Sequence, residues 1–110
     1  MKEVKKPWGD FKQFVLNKKC TVKIHTIKPK QMLSLQYHKK RKEMWYFLTP
    51  GYVQIGIHKK RVKKGELVKI KKKQAHRLIA KDKMVQVLEI CFGKFKEKDV
   101  VRMEDKYGRK

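Results

Sequence analysis

The strictest constraint in this sequence is its punctuation: short runs with a period of two, each closed by a turn signal. Leu33, Leu35 and Tyr37 alternate with Ser34, Gln36 and His38, and Val53, Ile55 and Ile57 alternate with Gln54, Gly56 and His58. A period of two sends successive side chains to opposite faces of a strand. Met44 to Leu48 is instead a continuous apolar and aromatic run, as in a strand buried on both faces. Thr49-Pro50-Gly51-Tyr52 follows, with Pro and Gly where a type II turn places them, so residues 44–58 are expected to form a β-hairpin. Further strands are expected at 22–27, 66–70, 75–80 and 84–92, with a turn at Lys64-Gly65. Glu97 to Glu104 is expected to form one or two helical turns. No longer segment carries a helical period, so the fold class is all-β, a closed sandwich or barrel.

A chain of 110 residues suits one domain spanning 1–110. Its N-terminus, Met-Lys-Glu-Val-Lys-Lys-Pro, lacks the apolar run of a signal peptide, and no stretch approaches the length of a membrane span. Cys20 and Cys91 have no ligand-like spacing around them and read as reduced thiols. Together these features imply a cytoplasmic protein with no membrane partner. The 32 basic residues against 10 acidic ones give a net charge of +22, which raises the question of a nucleic-acid partner. Only five of the 32 are Arg, the residue suited to guanine edges and to bidentate phosphate contacts. Lysines spread along the whole chain, without a clustered aromatic platform, read as a solvated surface and argue against nucleic acid.

One constellation carries chemistry. Gln36 and His38 share a strand face about 7 Å apart. Glu43 opens the next strand after the polar link Lys39 to Lys42, and His76 opens a later one. Imidazole, carboxylate and amide oxygen together make a mixed donor set suited to one divalent Zn, Mn, Co or Fe ion. His25 and His58 read as structural histidines.

Several segments, in order, are similar to one family. Lys6-Pro7-Trp8-Gly9, Val22-Lys23 with Lys28-Pro29, Leu33-Ser34-Leu35-Gln36 with His38, Arg41, Glu43 and Trp45, then Gly65 with His76-Arg77, and finally Asp99-Val100-Val101-Arg102, Glu104-Asp105 and Tyr107-Gly108-Arg109 carry the likeness. The chain resembles the cupin domain of type II mannose-6-phosphate isomerases, which often stands behind a guanylyltransferase domain in a larger enzyme. That resemblance implies a cupin double-stranded β-helix, or jelly-roll barrel. It also implies the metal ligands Gln36, His38, Glu43 and His76, with Zn the first choice of metal, and a homodimer as a possible assembly. Lys39, Lys40, Met44, Lys71, Lys73 and Ala80 depart from the family pattern, at the rim of the site rather than at its ligands.

The activity so implied is interconversion of mannose 6-phosphate and fructose 6-phosphate, with a small sugar phosphate as the ligand. Lys23 is the candidate proton shuttle, because a desolvated Lys readily gives up its proton. Arg102 is the candidate for stabilising the enediolate, and Glu89 is a further candidate base. Arg41, Arg77 and Arg109 are candidates for holding the phosphate. A metal-dependent cupin for another small anion, and a basic nucleic-acid-binding β-barrel, are the alternatives.

Overall fold

The computed structural model describes residues 1–110 as eleven strands and no helix. These are β1 Lys2–Lys6, β2 Gly9–Gln13, β3 Thr21–Ile27, β4 Leu35–Tyr37, β5 Arg41–Phe47, β6 Gly51–Ile55, β7 His58–Val62, β8 Leu67–Ile70, β9 His76–Ile79, β10 Val85–Gly93 and β11 Val101–Glu104. β1 and β2 pair only with each other. The remaining strands form a four-stranded sheet in the order β3-β10-β5-β8 and a five-stranded sheet in the order β11-β4-β9-β6-β7. Every pairing is antiparallel. From β3 onward the chain crosses from one sheet to the other at almost every connection, and the two inner faces enclose the core.

Alternation explains the core. Trp45 and Phe47 of β5, Val85 and Val87 of β10, and Val68 and Ile70 of β8 face inward from the four-stranded sheet. Val53, Val62 and Leu78 meet them from the other sheet. Trp45, Phe47, Val53, Val62, Leu78 and Val87 are fully buried, and each such side chain contributes about 1.5–3 kcal/mol by leaving water. Every Lys is exposed except the half-buried Lys23, whereas Arg41 and Arg77 are buried.

Three sequence expectations change here. Residues 44–58 are not a hairpin: β5 and β6 belong to different sheets, and the hairpin in this region is β6–β7. Its two-residue turn is Gly56-Ile57, with Gly56 at φ +60° and Ile57 outside the positive-φ region, which is the type II′ pattern that matches strand twist. Strand β6 therefore ends at Ile55. Gly51 does not take the positive φ of a type II turn. It is needed for close approach instead, because a Cβ there would lie 2.8 Å from Val85 Cγ1 and 3.0 Å from Phe47 Cε2. Lastly, Val101–Glu104 is a strand and not a helical turn, since pairing with β4 (Val101 opposite Tyr37, Arg102 opposite Gln36) satisfies its backbone.

Candidate metal centre and cavity

The sheets bring His38, Glu43 and His76 together inside one end of the barrel. His38 follows β4, Glu43 lies on β5 and His76 opens β9. All three are buried, at 3%, 2% and 1% exposure. Their ligand atoms lie within 4.8 Å of one another. Glu43 Oε1 stands 2.9 Å from His38 Nε2 and 3.5 Å from His76 Nε2. Gln36 lies opposite His76 in the β4–β9 pair, lines the adjoining cavity, and accepts a 2.8 Å hydrogen bond from Ser34 Oγ at its Oε1.

Hydrogen bonding at the far side of each ring sets its tautomer. His38 Nδ1 faces the carbonyl oxygen of Asp99, and His76 Nδ1 faces that of Gln74 at 2.8 Å. A carbonyl oxygen only accepts, so both Nδ1 atoms carry a proton, and in the neutral rings both Nε2 atoms present lone pairs. Arg41 Nη2, a donor only, lies 3.2 Å from His38 Nε2, in keeping with that assignment. The lone pairs thus converge on a carboxylate. Burial alone would raise the Glu43 carboxyl, but hydrogen bonds from the His38 and His76 rings when they carry a proton on Nε2 outweigh burial and hold it below the ordinary range, so the carboxylate is an anion that draws either protons or a metal cation to the two nitrogens.

Three acceptors pointed at one another need a cation. The Arg41 guanidinium is close, with Nε 3.6 Å from Glu43 Oε1. Even so, Glu43 Oε1, His76 Nε2 and Arg41 Nε are left buried without a hydrogen-bond partner. Two imidazole nitrogens and a carboxylate with carbonyls fixing the rings from behind are the donor set and outer support of a divalent transition-metal site. The residues present therefore fit the metal expected from the sequence. A second cluster, Glu43, Glu89 and Cys91, fits less well. Burial, aided by the Glu89 and Glu43 carboxylates, pushes the Cys91 thiol up, so it remains protonated and donates to Glu89 Oε1 at 3.2 Å. Cys20 and Cys91 are both free thiols.

A cavity of about 150 Å³ opens beside the donor set, lined by Lys23, Gln36, His38, Arg41, Arg102 and Arg109 among others. Seven of the residues singled out from sequence, Glu89 included, therefore meet in one place. Arg102 Nε is buried in it without a partner. Lys23 Nζ pairs with Glu97 at 2.8 Å, and Arg109 pairs with Asp105 at 2.9 Å. The segment after β10 crosses the mouth: Phe95 is clasped between Lys23 Nζ at 4.2 Å and Arg41 at 4.3 Å, while the Asp99 carboxylate accepts the backbone N–H groups of Lys39 and Lys40 at 3.0 Å each.

Arg77 does not belong to this group. Its Nε donates to Leu33 O at 3.0 Å and its Nη1 to Glu104 Oε2 at 3.2 Å, so it straps β11 to the sheet rather than facing the cavity. His25, expected to be structural, lines the cavity instead, and so does Glu89. The signal was present in sequence: His25 stands two residues after Lys23 on β3, so one face of that strand carries both.

Known proteins agree with this architecture. The family model described as "Mannose-6-phosphate isomerase C-terminal" matches residues 1–105. Mannose-1-phosphate guanylyltransferase ManC of Salmonella typhimurium is 33% identical over 98% of this chain, and the alginate biosynthesis protein AlgA of Pseudomonas aeruginosa is 32% identical over 97%. The chain spans 23% of the length of each. Among solved structures, the capsular polysaccharide assembling protein CapF of Staphylococcus aureus superposes with a TM-score of 0.71 at 17% identity, covering 94% of this chain and 32% of that one. Oxalate decarboxylase from Bacillus subtilis superposes at 0.70 with 19% identity, covering 78% and 24%. The fold is the cupin double-stranded β-helix that the sequence resemblance implied.

Proposed function

This chain belongs to the mannose-6-phosphate isomerase C-terminal family, and on that premise we propose that it is a metal-dependent aldose–ketose isomerase interconverting mannose 6-phosphate and fructose 6-phosphate. The observation that carries this reading is the convergence of two Nε2 lone pairs on the buried Glu43 carboxylate, with Glu43 Oε1 and His76 Nε2 left unpartnered. His38, Glu43 and His76, with Gln36 beside them, hold one divalent ion, of which Zn suits the donors well, as do Mn, Co and Fe. When bound, that ion supplies Lewis acidity toward the sugar oxygens.

The remaining roles fall to the cavity. Isomerisation moves a proton between C2 and C1 while negative charge develops on the oxygens of both carbons. Arg102, half-buried with its Nε unpartnered, is placed to stabilise that charge, because a cation already fixed beside the reacting oxygens needs little reorganisation during reaction. Lys23 holds the phosphate by exchanging Glu97 for it, since that pair sits at the cavity, and Arg109, half-exposed beside it and held by the buried Asp105 carboxylate, supplies a second cation. Arg41, pressed against the ligand set, keeps the lone pairs in place more than it reaches the phosphate. Glu97 is exposed, and displacing it costs little.

The test is turnover of mannose 6-phosphate before and after chelation. Activity disappears with chelator, returns with one of these metals and is absent in His38→Ala. Chelation also lowers the melting temperature, because an ion at about 100 times its Kd adds about 2.7 kcal/mol to the folded state. A folded protein that binds metal and does not turn over the sugar refutes the isomerase. It would favour the second reading, a cupin for a smaller anion, which the cavity of about 150 Å³ also accommodates.

A further inference from the structure

We propose that His25 is the group that carries the proton between C2 and C1, with Glu89 as its positioning residue; this rests on the isomerase reading above. The argument comes from comparing the three histidines at this end of the barrel. His38 and His76 have Nδ1 turned to carbonyl oxygens, which frees Nε2 toward Glu43. His25 is wired the other way round. Its Nε2 is buried 2.9 Å from Glu89 Oε2, while Nδ1 has no protein partner. The contact is bent, and Glu89 Oε2 is the one acceptor at either ring nitrogen, whereas His38 and His76 each meet a backbone carbonyl at Nδ1, so the single proton of the neutral His25 ring belongs on the Glu89 side. Nε2 therefore bears the hydrogen and Nδ1 bears the lone pair. A neutral imidazole with a free nitrogen beside a substrate cavity is suited to accepting a proton from the substrate.

Glu89 cannot do this itself. Its Oε2 accepts the Trp45 indole N–H at 3.1 Å and its Oε1 accepts the Cys91 thiol at 3.2 Å, so both oxygens are already turned to fixed donors of the barrel interior. Lys23, the group expected from sequence to shuttle the proton, is engaged by Glu97 and set over the Phe95 ring. His25 sits two residues along the same inner face of β3, opposite Val87 of β10, with 26% of its side chain exposed at the cavity.

The step balances without an outside reagent. Nδ1 takes the proton from C2 of the open-chain aldose, and the C–H electrons form the C1–C2 double bond as the C1 carbonyl becomes an enediolate oxygen. The hydroxyl proton on the C2 oxygen passes to the C1 oxygen. The imidazolium then returns its proton to C1 as the C2 carbonyl forms.

His25→Gln keeps a polar side chain of similar reach and removes the titrating nitrogen. Its kcat falls by about 100-fold or more, with KM and bound metal close to the wild type. Added imidazole restores turnover in His25→Ala. Nitrogen NMR reports an Nε2–H tautomer for His25 in the chelated wild-type protein and a mixture in Glu89→Gln. A kcat in His25→Gln within twofold of the wild type overturns the inference and leaves the isomerase standing. So does a loss in His25→Ala that imidazole does not reverse, or an Nδ1–H tautomer in the wild type. A wild-type protein that binds metal without turning over mannose 6-phosphate removes the isomerase reading and this inference with it.

Discussion

The two ends of the barrel are built from the same strands and have opposite chemistry. Along β5, Arg41 and Glu43 precede Trp45 and Phe47; along the antiparallel β10, Val85 and Val87 precede Glu89 and Cys91; along β9, His76 precedes Leu78. All of these side chains are buried. One end is an apolar plug that excludes water, and the other is a set of charged and lone-pair groups that the plug keeps dry. Trp45 is the hinge between them. Its ring is fully buried and edges onto His76 with 5.3 Å between centroids, while its N–H is shared by Glu43 at 3.3 Å and Glu89 at 3.1 Å. The difference shows that strand alternation selects inside from outside, whereas position along the strand selects stability from chemistry.

That division can be broken at either end. Phe47→Ala opens a cavity in the plug and costs about 3–5 kcal/mol in a denaturant titration, with the metal affinity of the remaining folded protein little changed. A metal affinity that falls along with stability would show that the two ends are coupled. Glu43→Gln strikes the other end: metal affinity falls by about 100-fold or more in a calorimetric titration, worth about 2.7 kcal/mol, and the chelated protein is also less stable than chelated wild type, because the buried Arg41 and the two imidazoles lose their carboxylate partner. Ser34→Ala sharpens the boundary. It removes the hydroxyl that holds Gln36 Oε1 and lowers metal affinity about tenfold, which identifies Gln36 as a ligand; unchanged affinity would leave His38, Glu43 and His76 as the whole protein set. Smallest of all, Lys59→Ala or Lys60→Ala on β7 leaves stability and metal binding within about 0.5 kcal/mol, since both lysines are solvated and away from either end.

Much of the donor set was legible before any fold was known. Gln36 and His38 share a face by alternation, and the likeness around Leu33 to Trp45 and at His76 implied the other two ligands. The cavity collects Lys23, Arg102, Arg41 and Arg109 as well. The structure sets Arg77 outside the cavity and His25 in its lining, the reverse of the expected placement, because both lie on strands whose partners are distant in sequence. Arg77 is claimed by Glu104 of β11, and His25 meets Glu89 of β10. The same reason overturned the 44–58 hairpin and the helical turn near the C-terminus: β5 finds β8 and β10 rather than its neighbour β6, and β11 finds β4.

What the sequence by itself determined is the part with a local cause. Side-chain period and turn residues make short strands, and an excess of lysine makes a surface that stays in water. What only the tertiary structure decided is the part with a non-local cause: which strand lies beside which, and hence which nitrogen of each histidine is left with its lone pair. A hydrogen bond from ring to carbonyl or carboxylate joins residues as far apart as His38 and Asp99 or His25 and Glu89, and no local pattern encodes it. The closed sheets bring those partners together, because burying the apolar plug stabilises only the register in which the polar end also meets.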